Sequence, residues 1–495
     1  MRLEKIVFDW MNQFLIIDGS PYLFGFIHCF IDSKMEETAI LLVNNLNDGA
    51  KCESIIESYC SQYCSLSVRS ENRYPCLLMS FLRQGNNTLF RRLFHINMDS
   101  LFQIANDIRQ TKSFQTSPLM NYHDDEVITF VSVAVLYINT CFTIRACSLF
   151  SGFSINTVEN YINIFNKIMN EMKDKVIRFP ALNVQGLLRV NSKRFFPGAI
   201  GVVRIFYLYI LSLIDSVFIP KLYSVEENSF SFSEEHQQQG IKLLVVIGRD
   251  GRFFNIHISE NGGLSNCSIY NESALGVTLR CHKRSVLNRI IQSFYSSIGG
   301  SFLIADRSFP ELPYIQVPFS TKEILQHPHP SVLSNYNYWH HKTRFIAEKT
   351  IQRWLYRSPK CKKGIPYQSS RNTIAFVISS LVLHQLCQTY NDEWTEDDNK
   401  IQCLIIASQD GEEHEEVNQE CYKLYDDPTS REINNSGMDY YDIKNVEPDT
   451  NGEVVDEFLM NSIYEKLKIV ARKRRDFLVD LINNFPNRSV LYTED

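Results

Sequence analysis

Among thirteen cysteines in 495 residues, no two stand in a CxxC pair, so the commonest spacing of a structural zinc site is missing. Cys60 and Cys64 lie four apart with no second His or Cys couple, and ordinary half-buried thiols account for them better than a metal does. The odd count, with a start (MRLEKIVFDWMNQF) that lacks the pattern of a cleavable signal, predicts reduced cysteines and an intracellular protein. Long apolar runs are scarce. The stretch 127–142 is shorter than the roughly 20 residues of a membrane span, and 199–219 carries Arg204 and Asp215, so no membrane contact is expected. There is no internal repeat. Hydrophobic residues at 44% and charged residues at 21% exclude collagen-like, coiled-coil and wholly disordered chains.

The length suits two or three domains, and charge divides them. Residues 391–457 hold 21 Asp and Glu against 4 Lys and Arg, a local −17, while the rest holds 46 basic against 35 acidic residues, +11. A basic body suits a polyanion partner, though evenly solvated charge gives the same sum.

The apolar period is helical from Asn86 to about Met172, ending in TIRACSLFSGFSINTVENYINIFNKIM. This piece reads as helix, turn at Gly152, and a second helix over 156–168 capped by Ser154, a pattern similar to a helix-turn-helix. Glu159 and the few basic residues on that helix suit an all-helical support domain at least as well. From Phe196 the period becomes strand-like in GAIGVV, in KLLVVIGRDGRFFNIHIS with a turn at Asp250 and Gly251, and in SFLIAD. Helical patterning returns at 338–356 and 372–390. The predicted organisation is an unassigned region 1–80, a helical domain 81–175, an α/β domain 176–390, an acidic disordered linker 391–455 and an amphipathic docking helix 456–485. The last presents Phe458, Leu459, Ile463, Leu467, Val470, Phe477, Leu478 and Leu481 on one side before Pro486.

Metal-assisted phosphodiester chemistry needs carboxylates from distant segments, because oxygen ligands must hold hard cations beside the reacting phosphate. Asp306 closes the strand SFLIAD, and Glu348 lies on a helical stretch with Lys342, Arg344, Lys349 and Arg353. Alone, the aspartate reads as a turn cap and the glutamate as part of a solvated face.

Together, four ordered stretches resemble the Harbinger-type DDE superfamily endonucleases, a transposase-derived group, over about residues 86–390. LIADRSFPELPYIQVPF resembles the family's GDxGYPLLPYLxTPY and places Asp306 on its aspartate. YNYWHHKTRFIAEKTIQRW resembles YNxxHxxTRxxVERxFG, matching Tyr336, Asn337, His340, Thr343, Arg344 and Glu348. NGGLSNCSIYNESAL resembles PGSxHDSxxFxxSxL, with Asn266 where the family has Asp, and FVISSLVLHQLC resembles the late helix with VLHN.

The family's first aspartate follows a pattern like FPxxIGAIDGTHIPI. Without a gap Arg204 takes its place; with an insertion of eleven residues, 204–214, Asp215, Ile219 and Pro220 re-register together, and this alignment is preferred. The inserted RIFYLYILSLI is expected to be a surface excursion or a gene-model error. Ser216 and Ala305 replace family glycines beside Asp215 and Asp306.

The resemblance implies an α/β fold with a ribonuclease-H-like nuclease domain after the helical one. It implies catalytic Asp215, Asp306 and Glu348, a Mg²⁺ or Mn²⁺ ion held by these residues with Asn266, and DNA phosphates positioned by Lys342, Arg344 and Lys349. It further implies DNA as substrate, a Myb-like partner protein, and a location in the nucleus with some in the cytoplasm, to which the basic cluster 472–475 adds. Two functions stay open: a metal-dependent nuclease, and a catalytically inactive DNA-binding or chromatin-associated protein, which Asn266 in place of a carboxylate favours.

Overall fold

The computed structural model describes residues 38–63 (except 39, 46 and 47), 77, 78, 82, 87–179, 210–222, 231–280 (except 249), 302–392 (except 313 and 314) and 468–480 (except 470, 474 and 477). It is a mixed α/β protein, and its contacts separate two compact units, Met1–Ile168 and Met169–Asp495.

The described part of the first unit is helical: α1 (Gly49–Tyr63), α2 (Asn87–Phe94), α3 (Met98–Arg109), α4 (Lys112–Gln115), α5 (Asp124–Asn139), α6 (Ile144–Ser151) and the start of α7 (Ile155–Val176). Asp124, Asp125 and Glu126 favour the positive end of α5, and the Glu126 carboxylate accepts from the His123 amide at 2.9 Å. From Thr129 to Asn139 all but a few side chains of α5 are fully buried, so this apolar run packs inside the helical unit; no described helix is long and apolar enough to cross a membrane. The stretch 1–80 contributes α1, which packs on α6 with Arg145 meeting Glu53 at 3.1 Å and Glu57 at 2.6 Å. Gly152 takes φ +73° to end α6, a left-handed conformation that glycine adopts without steric cost, and the Ser154 hydroxyl accepts from the Thr157 amide at 3.2 Å. The second helix of this pair runs on to Val176 rather than stopping near Ile168. Lys167 is its one basic residue before Lys173, so α7 offers little positive charge to a phosphate backbone.

In the second unit strands β1 (Ile210–Pro220), β3 (Gln238–Ile247), β4 (Phe253–Ser259), β5 (Phe302–Ile304) and β6 (Ile315–Gln316) form one sheet in the order β4-β3-β1-β5-β6, and short β2 (Phe232–Ser233) pairs with the start of β3. Contacts β1/β3 and β3/β4 are antiparallel; β1/β5 and β5/β6 are parallel. Gly251 at φ +77° makes the turn between β3 and β4.

The first strand corrects one expectation. GAIGVV lies outside the described residues, and β1 begins at Ile210, so the last five residues of the supposed excursion are strand. Leu213 and Ile214 are fully buried: an all-apolar run is what a central strand covered on both faces requires.

Side chains alternate across this sheet. Ile214, Leu244, Val246 and Leu303 join a core with Ile269 and Tyr270 of α8 (Asn266–Glu272), which is followed by α9 (Ala274–Arg280). After β6 come α10 (Thr321–Gln326), α11 (Pro330–Arg357), α12 (Lys360–Lys363) and α13 (Ser370–Thr389). Helix α11 packs on β1 and α13 packs on α11. The α13 side chains Gln385 and Gln388 bond the Phe253 amide at 2.9 Å and the Gly251 carbonyl at 3.0 Å. Buried Asp392 lies 3.7 Å from Arg357, so the packed domain reaches the first acidic residue of the linker. The rest of the linker, 393–455, and the first part of the expected docking helix, 456–467, lie outside the described residues.

Candidate functional site

Strand register brings the first two carboxylates together. Leu213 pairs with Ile304 across parallel β1 and β5; Asp215 and Asp306 each lie two residues further on. Asp215 points away from the face that Ile214 gives to α8, and meets α11. There Arg344 and Glu348, one helical turn apart, both turn inward. The Arg344 guanidinium lies 2.8 Å from Glu348, 3.9 Å from Asp215 and 4.0 Å from Asp306.

Residues 216–385 match the family model described as DDE superfamily endonuclease. This stretch is a DDE endonuclease domain. The match covers about a third of the chain, starts one residue after Asp215 and includes Asn266, Asp306, Arg344 and Glu348. No curated protein and no solved structure matches the chain.

Burial governs the electrostatics of this carboxylate cluster. Asp215 is 8% exposed; desolvation pushes its carboxyl up to about 6, with Arg344 opposing and Asp306 adding to the rise. Its Oδ1 also accepts from the Ser216 amide at 2.8 Å. Burial works against the Arg344 charge, but the three carboxylates outweigh it and raise the guanidinium pKa.

Asn266 enters from the other face of the sheet. Its Oδ1 accepts a hydrogen bond from the Ser216 hydroxyl, and its Nδ2 donates to Asp306 Oδ2 at 3.4 Å and to the Ser308 hydroxyl. Asn266 therefore reaches Asp306 through its NH₂ group, and its one oxygen is engaged by Ser216. Ser308 adds amide and hydroxyl donors to Asp306 Oδ1.

The donor set suits a hard divalent cation, being all oxygen and more anionic than Arg344 neutralises. The Glu348 Oε2 atom is buried without a hydrogen-bond partner. Yet among the described residues no three His, Cys, Asp or Glu side chains are grouped as a metal ion needs, and the Arg344 guanidinium lies between the carboxylates. By donor chemistry, Asp215, Asp306 and Glu348 are the residues that would hold such an ion, in the place the Arg344 guanidinium takes here.

The basic residues of α11 divide. Lys342 and Lys349 lie seven apart and share an exposed face, whereas Arg344 turns into the carboxylates. On the exposed face stand Tyr338, 57% exposed, and Phe345, 46% exposed, making a Tyr-Lys-Phe-Lys stripe at spacings of four, three and four; Lys342 Nζ lies 5.1 Å from the Trp339 ring centroid. His340 is buried and bonds the Gln316 carbonyl through Nε2 at 3.1 Å; burial lowers its pKa to about 3, so the neutral ring fastens α11 to β6.

Sequence reading misses Lys242. It is 8% exposed on β3, with its pKa lowered by burial against the pull of Glu235, Asp306 and Asp215. A lone lysine inside the apolar run IKLLVVI is the signal that marks it.

Proposed function

We propose that the DDE domain is a Harbinger-type, metal-dependent nuclease with a ribonuclease-H-like core, acting on DNA phosphodiesters. The observation that carries this reading is the convergence of Asp215, Asp306 and Glu348, from three separate segments, within 4.0 Å of one cationic group. The strand order, with three antiparallel strands followed by two parallel ones, supports the core assignment. When bound, a Mg²⁺ or Mn²⁺ ion supplies Lewis-acid polarisation and activation of the attacking oxygen. The chain's own residues orient the carboxylates: Ser216 holds Asp215, while Asn266 and Ser308 hold Asp306. Lys342 and Lys349 pair with backbone phosphates, and Tyr338 and Phe345 give rings for exposed bases.

A second reading, an inactive DNA-binding protein, is favoured by Arg344 at the point of convergence and by Asn266 where the family has an aspartate. A nuclear location and a Myb-like partner belong to the proposal on the strength of the resemblance. Of the basic cluster 472–475, Arg472 and Lys473 are exposed and Arg475 is buried.

Relaxation of supercoiled plasmid with Mn²⁺ tests the proposal. Nicking by the wild type that is lost in both Asp306→Asn and Glu348→Gln is the expected result. No nicking, with DNA retention that falls in a Lys342→Ala/Lys349→Ala variant, establishes the binding protein instead.

A further inference from the structure

Residues 468, 469, 471–473, 475, 476 and 478–480 are helical and belong to the same compact unit as the DDE domain. Of the expected apolar face only Leu478 has a described side chain; the buried set is Ala471, Arg475, Leu478 and Val479, spaced as one helical face. Arg475 is the unusual member. Only 5% of it is exposed, and arginine is rarely buried unless paired. Its guanidinium lies 2.8 Å from Glu323 and 3.3 Å from Glu311, with the carbon of the group 3.9 Å from the Phe319 ring centroid.

Two routes lead from Arg475 to the carboxylates. Glu323 also pairs with Arg307 at 3.0 Å, and Arg307 directly follows Asp306. Phe319 exchanges two hydrogen bonds with the Asn337 side chain, at 2.8 and 2.9 Å, and Asn337 lies on α11, which carries Arg344 and Glu348. Glu323 is fastened further by the amide and hydroxyl of Ser320 at 2.7 and 2.8 Å. Arg475 thus braces Glu311, Glu323 and Phe319 within the segment after β5, and Phe319 carries the contact to α11 through Asn337 and through its ring, 5.1 Å from that of Tyr336. The separation of this segment from α11 sets the distance between Asp306 and Glu348.

We propose that the C-terminal helix completes the DDE domain and that Arg475 is a positioning residue for the metal site, holding the Asp306 segment against α11. The role in metal binding rests on the nuclease reading above; the holding of the segment does not. The chain consequently crosses its acidic stretch and returns to the same domain, so that a fragment ending near residue 390 lacks part of the domain's support.

Full-length wild type, Arg475→Ala, Arg475→Lys and, as an exposed control, Lys473→Ala provide the test. Calorimetric Mn²⁺ titration is expected to show roughly tenfold weaker binding in Arg475→Ala, the loss typical when a group supporting metal ligands is removed, with partial recovery in Arg475→Lys and none lost in Lys473→Ala. Hydrogen exchange is expected to accelerate in 307–324 in Arg475→Ala. A lower melting temperature with unchanged Mn²⁺ affinity would make Arg475 a purely structural anchor and overturn the positioning role. Unchanged exchange in 307–324 overturns the holding role. If the wild type itself binds no Mn²⁺, the metal reading and the positioning role both fall, and exchange alone decides whether the helix holds the segment.

Discussion

Asp215 and Asp306 stand side by side because each lies two residues beyond the paired Leu213 and Ile304 of adjacent parallel strands. Two carboxylates so placed, with Glu348 nearby, repel one another in a partly desolvated site unless a cation intervenes. In this structure Arg344 supplies that cation from within the same helix as Glu348.

Arg344→Ala should therefore lower the melting temperature in chelator, since removing one member of a buried charge cluster costs about 3 kcal/mol or more. Mn²⁺ should then raise it by more than in the wild type, because a ligand that binds only the folded state stabilises it. Thermal unfolding with and without Mn²⁺ reads both effects; equal rises would show that the guanidinium and the metal do not compete.

Asp215 makes stability depend on pH with a definite sign. Its folded pKa of about 6 lies above the ordinary 3.8, so between about pH 4 and 6 the folded chain keeps a proton that the unfolded chain has lost, and this group lowers stability as pH rises. Above about pH 6 the full penalty, about 3 kcal/mol, is present. Asp215→Asn, which keeps the size and removes the charge, should match the wild type near pH 4 and exceed it by about 1–3 kcal/mol at pH 7.5 in chelator. Urea unfolding across this range measures the gap, and a gap independent of pH would assign the burial cost to another group.

Asn266→Asp exchanges a donor for an acceptor next to Asp306. Without metal it should lose about 1–3 kcal/mol, since the hydrogen bond to Asp306 becomes a repulsion. With metal it should gain affinity through the added anionic oxygen. Melting in chelator and Mn²⁺ calorimetry on the same samples check the two signs; an unchanged affinity would place residue 266 outside the reach of the ion.

Legibility in the sequence follows how local each feature is. Asp306 and Glu348 stand in contiguous motifs, and the β3–β4 turn is announced by Asp250 and Gly251. The start of β1 is different. An apolar run such as 204–214 has no period to tell a buried strand from an insertion, and only pairing with β3 and β5 makes 210–214 the central strand. Arg344 reads as a phosphate contact beside Lys342 and Lys349, yet the helix turn separates it from them by direction. The hydrogen bonds of Asn266 to Ser216, Asp306 and Ser308 join residues 40 to 50 apart in the chain, which no spacing rule contains.

By itself the sequence determined the broad kind of protein: a basic body interrupted by an acidic stretch, helices followed by strands, and short motifs similar to those of a DDE endonuclease domain. Those are properties of composition, period and short motifs, each set within a few turns or one strand. Tertiary structure decided which side chains share a site. Register across β1 and β5 set Asp215 beside Asp306, helix phase turned Arg344 and Glu348 inward and Lys342 and Lys349 outward, and packing of the C-terminal helix buried Arg475 against Glu311, Glu323 and Phe319. Pairing and burial between distant segments are collective outcomes of the fold, so the point on which three carboxylates and a guanidinium converge exists only once the sheet and its helices have closed around it.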